Sequence, residues 1–319
     1  MTTHWPLSSV VATGVLQVLG VAIGGPLLVG LMRKIRCRLE GREGPPVHQP
    51  LLDLRKLLRK ERTKPEAASW FFGLAPLVLL ASVTVAAAVS PLLATYPALG
   101  WSADLFAVVF LLLLGSVFLA LGALDTGTAF GGMGASRAIT IGALAEPALL
   151  VAVLALSIPS RSSNLPTIVS RSLEHPAWLA SPERLLAVVA LVIVIVAETG
   201  RLPVDNPSTH LELTMIHEAM VLEYAGPDLA LVKLAEAMRL TFLLALLATL
   251  FTPWGIAAAP GPARLALGLA SIAGKVAVLG AALAAAEVLV AKLRLFRVPE
   301  LMAGGFVLAA LAVIAGAVR

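Results

Sequence analysis

The sequence predicts an all-α integral membrane protein of about eight transmembrane helices, with an acidic cytoplasmic loop between helices 5 and 6. Three observations carry this. Hydrophobic residues make up 59% of the 319, while charged residues make up only 13%. Mean hydropathy is +0.92. Apolar runs about as long as a spanning helix recur from end to end, too long for barrel strands, and no polar stretch is long enough for a separate soluble domain. Residues 1–319 therefore read as a single polytopic membrane domain.

Spans are expected at about 10–31, 71–95, 101–121, 138–158, 184–199, 229–252, 266–289 and 300–318, the fifth being short and open to an earlier start than Arg184. Eight crossings put both termini on one side. The loop 32–69 holds eleven Lys/Arg, and with it in the cytoplasm 18 of the 24 basic residues gather there. The opposite side keeps Arg161, Arg171, Arg184, Arg264 and Arg319, with Lys275 inside a span. The positive-inside rule thus places both termini outside the cytoplasm, in a cytoplasmic (inner) membrane. No basic n-region precedes the first span and RKIRCR follows it, the pattern of a retained helix rather than a cleaved signal peptide. The net charge of +5 and pI near 9.7 are accounted for by these flanks, so no nucleic-acid partner is expected.

Within the first loop, GREGPPVHQP forces a turn that includes His48, and LLDLRKLLRKE follows as an amphipathic helix. Leu51, Leu54, Leu57 and Leu58 share one face; Arg55, Lys56, Arg59 and Lys60 gather on others. Membrane lipid and a soluble partner are both candidates for the basic side. Cys37 is the single cysteine, so neither an internal disulfide nor an iron–sulfur or zinc site can be built from cysteines of this chain.

Four charges fall within spans or at their ends: Glu146, followed by Pro147; Lys275, deep in the seventh helix; Glu287, twelve residues on; and Asp125, just past the third. A charge at the bilayer centre costs about 2.5–3.5 kcal/mol on insertion scales, so Glu146 and Lys275 read first as members of a proton relay, with helix-packing ion pairs as the bland alternative. Asp125 and Glu287 can reach the interface. The stretch GTAFGGMG lacks the phosphate-loop pattern and is expected to be a flexible interhelical loop.

The densest charge lies in Glu198–Tyr224, ETGRLPVDNPSTHLELTMIHEAMVLEY, with five acids, Glu198, Asp205, Glu212, Glu218 and Glu223, beside Arg201, His210 and His217. Carboxylates crowded against a bilayer point to movement of protons or another cation. His217-Glu218 opens like HExxH, but Val221 stands where the second ligand belongs; a metal on His210, Glu212 and His217 is the weaker reading. No catalytic triad can be argued from this spacing.

This segment resembles the signature of the H-subunit family of complex I, ETxRxPxDxP, then an acid followed by Leu, then Glu-Tyr. Glu198, Thr199, Arg201, Pro203, Asp205 and Pro207 match in register, and Glu212-Leu213 and Glu223-Tyr224 match the later elements across about three extra residues. The longer form, with KLRLFRVPELM at 292–302, is similar to the hydrogenase branch, the membrane subunit of group 4 nickel–iron hydrogenases of the formate hydrogenlyase type. The resemblance implies a non-catalytic subunit where the membrane arm meets the redox arm. Its partners would be hydrogenase-type large and small hydrophilic subunits, iron–sulfur subunits and antiporter-like membrane subunits. The Ni–Fe centre and iron–sulfur clusters would sit in those partners, with no cofactor in this chain. The family's acid chain maps onto Glu146, Glu198, Asp205, Glu212, Glu218 and Glu223, with Lys275 and Glu287 as further candidates and Arg201 as a structural ion-pair partner of Glu198 or Asp205. Two alternatives stay open: a quinone-site subunit of a complex I-like oxidoreductase, and a stand-alone cation transporter. No internal repeat of the transporter kind is evident.

Overall fold

The computed structural model describes residues 7–97, 100–205, 215–293 and 297–318. Its helices are α1 (Leu7–Leu39), α2 (Gln49–Leu58), α3 (Trp70–Val89), α4 (Leu105–Asp125), α5 (Ala129–Ser160), α6 (Leu165–Glu174), α7 (Pro182–Glu198), α8 (His217–Val221), α9 (Gly226–Phe251), α10 (Pro262–Leu289) and α11 (Val298–Val318). Among the described residues seven of them, α1, α3, α4, α5, α9, α10 and α11, are long and apolar enough to cross a bilayer. α7, with 17 residues, is next in length and packs beside α5, α9 and α11. The protein is an all-helical membrane protein, as its composition requires.

Boundaries shift where local chemistry outweighs hydropathy. α3 stops at Val89, short of the expected 95, because Pro91 follows Ser90 and biases it out of the helical region. The chain beyond is tied to α1: Gln17 Oε1 accepts from Leu92 N at 3.3 Å and Leu93 N at 3.1 Å, and its Nε2 donates to Ser90 O at 2.7 Å. α4 begins after Asp104, whose carboxylate accepts from Phe106 N at 2.8 Å as an N-cap. α1 runs on through RKIRCR to Leu39, well into the expected loop. The glycine-rich stretch is helix, not flexible loop. α5 starts at Ala129 behind the Thr128 cap, and a Cβ on Gly134 would lie 2.9 Å from Ala219 Cβ and 3.0 Å from Ile216 O. Glycine there permits α8 to sit directly on α5, and tertiary packing overrides weak helix propensity. The amphipathic α6, capped by Asn164 Oδ1 on Thr167 N at 3.2 Å, has no counterpart among the expected spans.

α9 is the central helix. It packs against α1, α2, α3, α7 and α10, and nearly every side chain from Met238 to Leu250 is buried. α10 packs on α1 and α9, and α11 on α5 and α7, both with apolar faces turned outward, including Leu267, Val278, Val307, Leu311 and Ile314, as lipid contact requires. α1 and α10 end together, joined by Arg36–Glu287; α3 begins against the end of α4, where Asp125 accepts from Ser69 N at 2.8 Å and Phe72 N at 3.2 Å; and α9 begins where Arg62 meets Asp228 at 2.6 Å. These contacts define one charged end of the bundle, which also carries α2 and α8. α2 packs on α1 and α9 with Leu51, Leu54 and Leu57 half-buried; Leu58, expected on the same face, is exposed, as are Leu52, Arg55, Lys56, Arg59 and Lys60.

Candidate functional site

The charged end is built by helix spacing. Lys233, Glu236 and Arg239 recur every three residues on α9, so they rise along one face of the most buried helix. That face meets the loop after α7, with Glu198 at its start, and the short α8. α7 ends as its chain turns at Gly200, which has a positive φ of 56° that glycine adopts without strain.

Charges here pair across elements distant in sequence. Glu198 pairs with Arg239, and both are buried. Glu287, with 1% of its side chain exposed, takes Arg36 on one oxygen and Arg201 Nη1 on the other at 3.5 Å. Asp205 receives Lys292 Nζ at 2.9 Å and the backbone amides of Ile216 and His217 at 3.3 and 3.2 Å. His217 Nε2 lies 2.6 Å from Glu236 Oε1; Lys233 Nζ lies 2.8 Å from Glu218 Oε1 and 3.5 Å from Glu236 Oε2. Arg201 pairs with Glu287 rather than with Glu198 or Asp205. Those two acids already have their own cations.

Two cavities adjoin at this cluster. The larger, about 650 Å³, is lined by Arg33, Arg36 and Cys37 of α1, Asp53 of α2, and Glu218, Lys233, Glu236 and Glu287. The smaller, about 200 Å³, lies between α4, α5 and α7 and reaches Glu146. Glu198, Gly200, Asp205, His217 and Arg239 line both. Burial, the largest influence, disfavours a charged His217, yet Glu236 outweighs it and holds the imidazole above its ordinary pKa. Burial also pulls the Arg201 guanidinium down, against the pull of Glu287 and with the repulsion of Arg36. Tyr224 is driven up by burial, then by Asp228 and Asp125; its ring stacks on Phe72 with centroids 4.2 Å apart, a packing contact behind the site.

Of the residues singled out in the sequence, Glu146, Glu198, Asp205, Glu218, Glu287 and Arg201 come together around the two cavities. Glu223 is half-buried in the turn after α8 and lines neither cavity. Glu212 and His210 lie outside the described residues, and with them the suggested His210–Glu212–His217 metal set. Lys275 stands apart, its Nζ donating to the carbonyls of Thr252 and Trp254 past the end of α9. Asp125 caps α3. Sequence reasoning passes over Arg36, Lys233, Glu236, Arg239 and Lys292. The signal for three of them was present: charges at three-residue spacing inside the span expected at 229–252.

Comparison with known proteins fixes the family. The model of the NADH dehydrogenase family matches residues 12–318. Hydrogenase-4 component C of Escherichia coli is 33% identical over 287 residues, 90% of each chain. Formate hydrogenlyase subunit 4 of Escherichia coli is 31% identical, covering 93% of this chain and 95% of its own. The H subunit of the NADH-quinone oxidoreductase of Syntrophotalea carbinolica is 32% identical over 73% of this chain and 75% of its own. A chain of the membrane-bound sulfane sulfur reductase, an archaeal respiratory membrane complex, shares the fold with a TM-score of 0.83 at 20% identity, over 96% of this chain and 99% of its own. On these matches the chain belongs to the NADH dehydrogenase family, the membrane subunits akin to the H subunit of complex I.

Proposed function

We propose that this chain is the membrane-anchoring, proton-translocation-coupling subunit of a group 4 nickel–iron hydrogenase-type complex, joining a hydrophilic redox arm to antiporter-like membrane subunits. The observation that carries it is the pair of adjoining cavities whose common wall holds Glu198 and Asp205 and whose inner recess reaches Glu146. Carboxylates so placed can hand protons on, directly or through water, from the charged end toward the interior. Glu212, Glu218 and Glu223 complete the proposed acid set, with Glu218 lining the larger cavity. Identity above 30% along nearly the whole chain to proteins named for hydrogenase-4 and formate hydrogenlyase supports the hydrogenase setting. In this setting the Ni–Fe centre and iron–sulfur clusters belong to the large, small and iron–sulfur partner subunits. Basic residues gathered at the charged end favour a cytoplasmic placement for it, with both termini outside.

α2 would provide the docking surface. α2 packs on α1 and α9 and leaves Arg55, Lys56, Arg59 and Lys60 exposed, a basic surface suited to an acidic partner.

The test is purification of the intact complex in mild detergent, with identification of its subunits and assay of hydrogen evolution. Co-elution of a large nickel-binding subunit with hydrogen evolution is expected; a chain that elutes alone and still moves cations would overturn the proposal in favour of a transporter. One observation favours a second reading, a quinone-site subunit. An apolar cavity of about 270 Å³ between α1, α9 and α10, lined by Val21, Leu28, Ala245 and Val276, has the character of an isoprenoid channel. Quinone reduction by the purified complex without hydrogen evolution would select it.

A further inference from the structure

We infer that His217 is the proton-loading residue of this site, taking a proton from the larger cavity and releasing it into the smaller one. The inference deepens the proton-relay function proposed above and rests on it. The wall between the cavities contains four titratable side chains: Glu198, Asp205, His217 and Arg239. Three are fixed. Glu198 and Arg239 neutralise each other in a buried pair. Asp205 is held by Lys292 and by two backbone amides, one of them that of His217 itself. That last contact pins the backbone of His217 in the wall.

The imidazole differs from these in two ways. Its side chain is 28% exposed, so it meets cavity space, and its Nε2 is engaged by Glu236 at 2.6 Å. Among the described residues no protein group meets Nδ1. An imidazole with one anchored and one open nitrogen accepts and releases a proton without leaving its place. Glu236, Glu218 and Lys233 line only the larger cavity, and Glu146 lines only the smaller. The proton balance is simple. The neutral ring gains one proton from the larger cavity to become imidazolium; it then loses it to the carboxylate of Glu146, which becomes the neutral acid, and the ring is restored.

The groups around the ring set when this happens. Glu236 and Lys233 face it from α9, Glu218 from α8, Asp205 through the loop, Glu198 and Arg239 from the wall, and Arg137 of α5 holds the Met215 carbonyl at 2.8 Å just ahead of it. Glu236 favours the imidazolium against the opposing effects of burial and Lys233, so the ring binds its proton at a higher pH than an ordinary histidine. Loading is complete below that raised pKa and is lost as pH rises through it.

The experiment uses the whole purified complex in proteoliposomes, driven by its own electron donor, with a pH-sensitive dye reporting protons moved per turnover from about pH 5.5 to 9. His217→Gln keeps a hydrogen bond to Glu236 but cannot titrate. It is expected to lower coupled proton movement about tenfold or more and to erase the alkaline decline. Glu236→Gln should instead shift that decline to lower pH, a change that a purely structural role does not produce, and it decides the matter if His217→Gln does not assemble. Wild-type coupling and pH profile in His217→Gln, or an unmoved decline in Glu236→Gln, would overturn the inference. Glu146→Gln run alongside separates the two levels. If it loses coupling while His217→Gln keeps it, the relay stands and the loading role falls; if both keep it, both fall.

Discussion

The two ends of the helix bundle use polar groups in opposite ways. At the far end they mostly serve the backbone. Lys275 caps the carbonyls of Thr252 and Trp254, Arg171 reaches Ser160 O, Asn164 Nδ2 donates to Gly100 O at 2.7 Å, and Gln17 gathers the chain after α3. At the charged end side chains answer one another: Glu198 with Arg239, Asp205 with Lys292, Glu287 with Arg36 and Arg201, and His217, Glu236, Lys233 and Glu218 in a row. A cation bonded to a carbonyl closes a helix end and has nothing to exchange with. A carboxylate bonded to a cation beside a cavity has a charge that can be neutralised by a proton. The difference teaches where chemistry is to be sought in a chain whose spans are otherwise oily.

The largest effect expected from breaking this contrast is at Arg239. Arg239→Ala leaves Glu198 buried and uncompensated, and loss of one member of such a pair costs roughly 3–5 kcal/mol. The complex should lose this subunit or melt far earlier in detergent, as read by subunit content and thermal unfolding. Arg201→Ala should damage assembly less, since Glu287 retains Arg36. Equal damage from the two would mean that Glu287 relies on both arginines.

Next come the acids. Glu146→Gln, Glu212→Gln and Glu223→Gln should leave the complex assembled while cutting ion movement per turnover by roughly tenfold or more. Redox turnover and pumping are measured together in proteoliposomes, with subunit content checked in parallel. Normal pumping in all three would reduce these acids to caps and ion pairs.

The contrast between the ends was only half legible in the sequence. Spans declare themselves because each is a long apolar run, and the acid-rich segment stands out for the same reason inverted. Pairing does not declare itself: Arg201 and Glu287 are 86 positions apart, and only the meeting of the α7 loop with the end of α10 makes them partners. Glycine misleads in the opposite direction. Gly131 and Gly134 weaken helix propensity in isolation, but Gly131 lies against the Ala123 carbonyl at the end of α4 and Gly134 seats α8, so close packing holds this stretch of α5 helical behind its Thr128 cap. The face of α9 carrying Lys233, Glu236 and Arg239 was readable, since three charges at three-residue spacing in a span demand partners.

A smaller effect is expected at the surface of the charged end. Reversing Arg55, Lys56, Arg59 and Lys60 to Glu should release hydrophilic subunits from the membrane without unfolding this one, because all four are exposed and Leu51, Leu54 and Leu57 of α2 stay packed. In the wild type, release should grow with salt, as attractive exposed pairs are screened beyond about 8–10 Å at moderate ionic strength, whereas salt should blunt the repulsion in the reversed variant. A complex that stays whole after reversal would place α2 against lipid alone.

The smallest effect is expected at the far end and is the sharpest check on the contrast. Lys275 was the deepest charge in the sequence and a relay candidate on that ground alone. Its neighbours are the carbonyls of Thr252 and Trp254, and it lines neither cavity of the charged end. Lys275→Gln keeps a donor for one carbonyl and removes the charge. It should cost about 1–3 kcal/mol at most, the range for a weakened buried hydrogen bond, and leave protons moved per turnover unchanged. Lys275→Met, which removes the donor altogether, should lower the detergent melting temperature further with coupling still intact. Should Lys275→Gln abolish pumping in an assembled complex, proton movement must extend from the charged end across to α10, and the division between a structural end and a chemical end would fail.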